Sequence, residues 1–146
     1  MRFIGTGEPQ LRPRVKEILG DMLAGWKQRG FGRWAVILKE GNKLIGWCGL
    51  TFLEETPEVQ IGYGIEKSYW GRGFSTEAAL ASLRYGFEVM KIDRIVGVAM
   101  AENVASRRVM EKIGMRYEKV GHWYGAELVC YAISRNEYRK MSLAKE

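Results

Sequence analysis

Residues 69–78 read Tyr69-Trp70-Gly71-Arg72-Gly73-Phe74-Ser75-Thr76-Glu77-Ala78, a glycine-punctuated turn between an apolar run and an amphipathic helix. Gly71 and Gly73 let the backbone approach a ligand with no side chain between them. The helix that follows aims its free N–H groups back at the turn. A strand, a glycine loop and a helix N-terminus together make an anion site, most often one for phosphate.

Outward from the loop, the chain reads as one domain over 1–146. Upstream, residues 10–28 repeat Val15, Ile18, Leu19, Met22, Leu23 and Trp26 at three- and four-residue spacing, which predicts a helix. Pro13 sits in its first turn, and Gly30 and Gly32 end it. Residues 33–39 and 44–53 read as a hairpin around Glu40-Gly41-Asn42. Trp34-Ala35-Val36-Ile37-Leu38 does not alternate, so that strand is expected to be covered on both faces. A third strand, 59–66, enters the loop.

Downstream, the loop helix runs over 76–90 with Ala79, Leu80, Leu83, Phe87 and Met90 as its buried stripe. A β-branched strand follows at 94–100. A helix over 103–113 ends at Gly114, where a glycine C-cap belongs. Strands at 115–123 and 127–133 flank the Tyr124-Gly125-Ala126 turn. The order helix, three strands, helix, strand, helix, two strands predicts an α/β (α+β) layout: a mixed sheet with helices on its faces.

The composition narrows the function classes. At 146 residues, 47% hydrophobic and 27% charged, the chain has the make-up of a globular domain. It contains no apolar run near the roughly 20 residues needed to cross a bilayer, and Met1 to Gln10 lacks a signal-peptide pattern, so a cytoplasmic place and no membrane partner are expected. Cys48 and Cys130 lie in apolar runs and read as buried reduced thiols. With His122 the only histidine and no paired cysteines, no metal site is expected. The net charge of +6 suits a phosphate-rich ligand; the basic residues are scattered, so nucleic-acid binding is not expected.

The loop admits three phosphate ligands. A nucleotide P-loop would close its glycine run with Lys-Ser or Lys-Thr, and here Phe74-Ser75 follows Gly73. A dinucleotide fingerprint needs three spaced glycines early in the chain, whereas this loop has two and follows three strands. The pyrophosphate of coenzyme A is the third, and the loop alone leaves the choice open.

Further segments bear on that choice: Phe31-Gly32-Arg33-Trp34-Ala35-Val36, Leu44-Ile45-Gly46-Trp47-Cys48-Gly49-Leu50, Gln60-Ile61-Gly62-Tyr63-Gly64-Ile65, Asn103-Val104-Ala105-Ser106 and Glu111-Lys112-Ile113-Gly114-Met115. In this order, over residues 31–140, the sequence resembles the GNAT superfamily of CoA-dependent N-acyltransferases. Within it the chain looks most like the branch of ribosomal-protein N-terminal (alanine/serine) acetyltransferases. The resemblance implies a mostly antiparallel central sheet flanked by helices, with acetyl-CoA as co-substrate and an amine acceptor. It implies that amides from Gly71, Arg72, Gly73, Phe74 and Ser75 cradle the pyrophosphate, with Trp70 and Ser75 at positions where the superfamily pattern has Gln/Arg and Gly/Ala. Tyr63 and Ile65 would offer main-chain groups to the pantetheine arm, and Asn103 would both cap its helix and contact that arm. Arg72, Arg107, Arg108 and Lys112 are candidate phosphate partners.

Amide formation from a thioester needs a neutral amine, an N–H donor for the tetrahedral oxyanion, and a donor for a departing thiolate whose pKa is about 8.5. Many superfamily members supply that last group from a tyrosine at the position that is Met110 here. Methionine has no proton to donate, so the resemblance turns attention to Ser106, one helical turn earlier, as donor to the CoA sulfur. Glu127 stands where this branch often has an acid near the acceptor, with Glu58 and Gln60 as further candidates for handling the amine proton. His122, Trp123 and Tyr124 are candidates to shape an acceptor groove.

Relatives usually begin with a strand and a helix ahead of the one at 10–28, and Met1-Arg2-Phe3-Ile4 leaves no room for both, so they are expected to be missing. An edge strand would then be left open, and a homodimer partner or the N-terminal segment is expected to cover it. The leading expectation is an acetyl-CoA-dependent N-acetyltransferase acting on a protein N-terminus or a small amine. The alternative is a catalytically impaired CoA-binding module serving as a sensor or assembly partner.

Overall fold

The computed structural model describes residues 23, 24 and 26–144. Most of the expected first helix, Pro13 included, lies outside them, as does the expectation of a missing first strand. Residues 26–29 are helical, and Gly30, at φ 76°, ends that helix. Six strands follow: β1 (Arg33–Leu38), β2 (Lys43–Phe52), β3 (Val59–Ile65), β4 (Arg94–Ala99), β5 (Arg116–Trp123) and β6 (Ala126–Ser134). The helices are α1 (Phe74–Arg84), α2 (Val104–Lys112) and α3 (Arg135–Ala144).

The strands form one sheet in the order β1-β2-β3-β4-β6-β5. Every neighbouring pair is antiparallel except β3–β4. That is the mixed, mostly antiparallel sheet the sequence predicts. The parallel pair is short: only Val59↔Ile95 and Gln60↔Val96 are in register. By contrast β3 stays paired with β2 through Ile65. The two central strands therefore part after Gln60.

The helices share one face of the sheet. There Cys48, Leu50, Ile61, Ile95, Val129, Tyr131 and Ile133 pack with Ala79 and Leu83 of α1, Met110 of α2 and Tyr138 of α3. Strand alternation puts a smaller cluster on the other face, where Leu53, Val96, Cys130 and Ala132 meet Val98 and Trp123. Gly97 matters at the parting of the strands, because a Cβ there would fall 2.7 Å from Met110 Sδ. Glycine lets α2 sit close over β4.

The local signals act as read. Gly114, at φ 96°, closes α2 in a Schellman motif: Gly114 N–H donates to Glu111 O and Met115 N–H to Met110 O. Tyr124 and Gly125, at φ 55° and 72°, make the two-residue turn between β5 and β6.

Three expectations are corrected. β1 is not covered on both faces: Ala35 is exposed and Ile37 is 46% exposed, on a strand that is the edge of the sheet among the described residues. The loop helix starts at Phe74, earlier than expected, and its last turn, Tyr85–Val89, is π-helical. The chain also continues past the last expected strand into α3. That helix opens with a capping box, in which Glu137 N–H donates to Ser134 Oγ at 3.1 Å and Ser134 N–H to Glu137 Oε1 at 3.0 Å. Replacing the cap, Ser134→Ala, should lower the free energy of unfolding by about 1 kcal/mol, read as a shift of the urea midpoint with an unchanged m-value.

Candidate active site

The parting of β3 and β4 leaves main-chain groups of β3 beyond Gln60 without a strand partner on that side, and buried groups of that kind require one. The glycine loop follows directly on this end of β3. Gly71 and Gly73 take the left-handed conformation at φ 78° and 80°, and a Cβ on either would meet nothing within 4 Å. Gly73 is the N-cap of α1, and no side chain caps the helix. The N–H groups of Phe74, Ser75 and Thr76 are therefore first-turn donors without an intrahelical acceptor, at the positive end of the helix dipole.

Trp70 fastens this loop to the strand end. Its indole Nε1 donates to Ile65 O at 2.6 Å. Ile65 thus spends one lone pair inside the protein, which leaves its carbonyl a second one. Arg72 is exposed, with its guanidinium 4.9 Å from the Phe74 ring centroid and 5.7 Å from that of Tyr69; Lys43 Nζ lies 5.4 Å from the Tyr69 ring. Two cations therefore flank the loop. Arg107 is occupied elsewhere, donating to Tyr131 Oη at 3.1 Å and to Ala101 O at 3.0 Å.

Across the opening, Asn103 is the N-cap of α2, its Oδ1 accepting from Ser106 N–H at 3.1 Å. The cap engages only the Asn103 oxygen, not its amide NH₂. The Tyr63 side chain spans from β3 to the same helical turn, with its hydroxyl 2.9 Å from Ser106 O and 3.0 Å from Ser106 Oγ. Loss of hydration pushes the Tyr63 phenol up to about 12, although the bond to Ser106 pulls the other way. Tyr63 thus contributes a side chain as well as the main-chain groups expected of it. Its place in the alternating run 59–65 put it on the helix face, but nothing local pointed to Ser106.

Met110 is 1% exposed and packs into the core, so that position offers the opening no proton donor. Glu127 is exposed on β6, opposite His122 on β5, outside the network that joins Tyr63, Asn103 and Ser106. Glu58 is engaged in an ion pair. Arg94 Nε donates to Glu58 Oε1 at 3.2 Å, and the same guanidinium grips Glu118 through both of its oxygens. That fork holds Glu118 below the usual carboxylate range. Gln60 is likewise engaged. Its Nε2 donates to Tyr124 Oη at 2.7 Å, and Glu54 N–H donates to the same oxygen at 2.8 Å. Tyr124 therefore pins the β5–β6 turn to the β2–β3 turn.

Both cysteines are free and buried. Burial pushes the Cys48 thiol up to about 11 despite its contact with Ser82 Oγ at 3.2 Å, which makes it an inert side chain rather than a nucleophile. Among the described residues no group of three or more His, Cys, Asp and Glu side chains could hold a metal ion, and no helix is long and apolar enough to cross a membrane.

The GNAT acetyltransferase domain family matches residues 1–116. YnaD of Bacillus subtilis (strain 168), an uncharacterized N-acetyltransferase, is 42% identical over 86 residues, which are 59% of this chain and 51% of YnaD. The matched region spans between 49% and 66% of the length of the first curated relatives. The structure of a GNAT-family acetyltransferase from Bacillus anthracis is 30% identical, with a TM-score of 0.76 over 93% of this chain and 81% of that one. A ribosomal-protein-alanine acetyltransferase from Vibrio fischeri, 19% identical, has a TM-score of 0.74 over 90% of this chain and 79% of its own, a likeness of fold.

The Tyr63 phenol carries a sign for stability. Its folded pKa lies above the ordinary value of 10.0, so the folded state holds the proton more tightly than the unfolded chain. The stabilisation is complete below pH 10 and is lost as the pH rises towards 12. The stability difference between the protein and Tyr63→Phe should accordingly shift against the parent protein over that window and stay flat below it, as measured by urea unfolding at each pH.

Proposed function

The chain belongs to the GNAT acetyltransferase family, and we propose that it moves an acetyl group from acetyl-CoA to a primary amine by direct attack in a ternary complex. One observation carries this reading: an uncapped helix N-terminus with two left-handed glycines stands at the mouth of a parted strand pair. A pyrophosphate fits the first feature and an extended amide-bearing arm the second. The amides from Gly71 through Ser75 bind the pyrophosphate, with Arg72 as a charge partner and Trp70 holding the loop in place. The pantetheine lies along β3 at Tyr63 and Ile65 and meets the Asn103 amide.

At the reacting centre the neutral amine attacks the thioester carbon, and the C–S bond breaks with its electron pair on sulfur. The Ser106 hydroxyl serves that sulfur as donor. Glu127 holds the incoming amine or passes its proton to water. Following the resemblance, the acceptor is a protein N-terminus or a small amine, met in the cytoplasm. The competing reading, a CoA-binding module without catalysis, draws on the burial of Met110.

Calorimetric titration with acetyl-CoA should give saturable one-site binding. Gly73→Ala, which places a Cβ at φ 80°, should weaken it on the order of tenfold. Free-thiol release with a panel of peptide N-termini and small amines should follow acetyl-CoA addition, and Ser106→Ala should lower kcat by about tenfold or more with little change in KM for acetyl-CoA. Binding without thiol release from any amine would favour the non-catalytic module; no binding would end both readings.

We also propose a homodimer formed through β1. Ile37 and Leu44 are cross-strand partners, 46% and 61% exposed, and give this edge an apolar surface. Sedimentation velocity should show a dimer that Ile37→Lys with Leu44→Lys converts to monomer; a clean monomer of the unaltered protein at high concentration would remove the proposal.

A further inference from the structure

We propose that Tyr63 is the positioning partner of Ser106, a phenol supplied from the strand that aims the serine hydroxyl at the leaving sulfur. The proposal rests on the acetyltransferase reading above and adds a side chain to it. Its basis is the geometry of one hydroxyl, 2.9 Å from Ser106 O and 3.0 Å from Ser106 Oγ.

Each hydroxyl has one proton, so the pair has two arrangements. In the first, Tyr63 O–H donates to the Ser106 carbonyl and Ser106 O–H donates to the Tyr63 oxygen. The serine proton is then spent inside the protein. In the second, Tyr63 O–H donates to Ser106 Oγ, and the serine proton is free to point into the opening between β3 and β4. Exchange between them needs only rotation of two hydroxyls, with no movement of heavy atoms. Negative charge growing on a sulfur in the opening selects the second arrangement, because both O–H dipoles then run towards it. Chained donors polarise one another, so the serine becomes a stronger donor with Tyr63 behind it.

The surroundings hold the pair in place. Asn103 Oδ1 fixes the Ser106 N–H at 3.1 Å, and with it the first turn of α2. One turn along, Met110 is buried and offers no competing donor. The Cys48 thiol, also near Tyr63, stays protonated because burial pushes it up to about 11. The hydroxyl pair also fits the proton balance of the reaction. Serine and tyrosine hydroxyls are weaker acids than a thiol, so they lend hydrogen bonds and keep their protons. The proton that finally sits on sulfur is the one the amine nitrogen lost, carried by water.

The test uses bound CoA as well as turnover. Thiolate absorbance of CoA bound to the protein, titrated with pH, reports donors at the sulfur without needing an acceptor. The expected result is a bound thiol pKa below that of free CoA, raised by about one unit in Tyr63→Phe and by a similar amount in Ser106→Ala. The double variant should be no worse than Ser106→Ala alone, since Tyr63 acts through the serine. With a productive amine, kcat should fall about tenfold in Tyr63→Phe while KM for acetyl-CoA holds. Fluorotyrosines at position 63 keep the hydroxyl and the packing but make it a stronger donor, and the bound thiol pKa should fall in step with the phenol pKa; a packing role would not produce that trend. An unchanged bound thiol pKa in Tyr63→Phe, or no trend across the fluorotyrosines, would overturn the inference while leaving acetyl transfer intact. Failure of the unaltered protein to bind acetyl-CoA would instead overturn the acetyltransferase reading and this inference with it.

Discussion

The parting of β3 from β4 is the constraint on which the rest of the site depends. Two parallel strands in the middle of a sheet normally satisfy one another's main-chain groups along their length. Here the match stops at Gln60↔Val96, while β3 remains fastened to β2 through Ile65. An extended edge inside the fold cannot simply face hydrocarbon, because unmet N–H and C=O groups cost more than a packed side chain returns. Such an edge calls for a polar, extended partner. The features around it suit one that ends in phosphate: left-handed glycines, an uncapped helix, and Lys43 and Arg72 beside Tyr69.

The opening is kept in shape by packing on one side and polar ties on the other. Gly97 lets Met110 press onto β4, so α2 lies close at the point where the strands diverge. Tyr63 crosses from β3 to the first turn of α2, which links the two walls through Ser106. Trp70 ties the glycine loop to the end of β3 through Ile65. On the opposite face, Tyr124 joins the β5–β6 turn to Gln60 and Glu54, and Arg94 gathers Glu58 and Glu118. Glu58 and Glu118 are paired with Arg94, which leaves Glu127 as the exposed carboxylate among the acids considered for the amine.

What was legible in the chain follows from how far each signal reaches. The glycine loop, the Asn103 cap, the Gly114 terminator and the Tyr124-Gly125 turn are set by neighbours a few residues away, and each took the form its residues demand. The helix at 135–144 was missed: Ser134 and Glu137 spell a capping box, but they follow directly on a strand, with no glycine or proline to mark the change. The exposure of β1 was not legible. A continuous apolar run reads alike whether a strand lies in the middle of a sheet or at its edge, and only the strand order separates the two. The parting of β3 and β4 is also invisible locally, since it depends on two segments more than thirty residues apart in the chain.

The Tyr63–Ser106 pair shows why long-range side-chain contacts are harder to read than folds. A search along α2 alone finds methionine at the position where a tyrosine would donate, and from there a loss of chemistry follows easily. In the proposed reaction the sulfur would respond to where a hydroxyl points, and sequence position does not enter into that. A phenol standing on β3 reaches the first turn of α2 as well as one standing on the helix could, and it arrives with a backbone already anchored to β2. Its cost is desolvation, visible in the raised Tyr63 pKa, and its return is a serine with a donor at its back. Burying Met110 and burying the Tyr63 hydroxyl then become two halves of one arrangement: the helix gives its inward position to packing against Gly97, and the strand supplies the polar group that the opening needs.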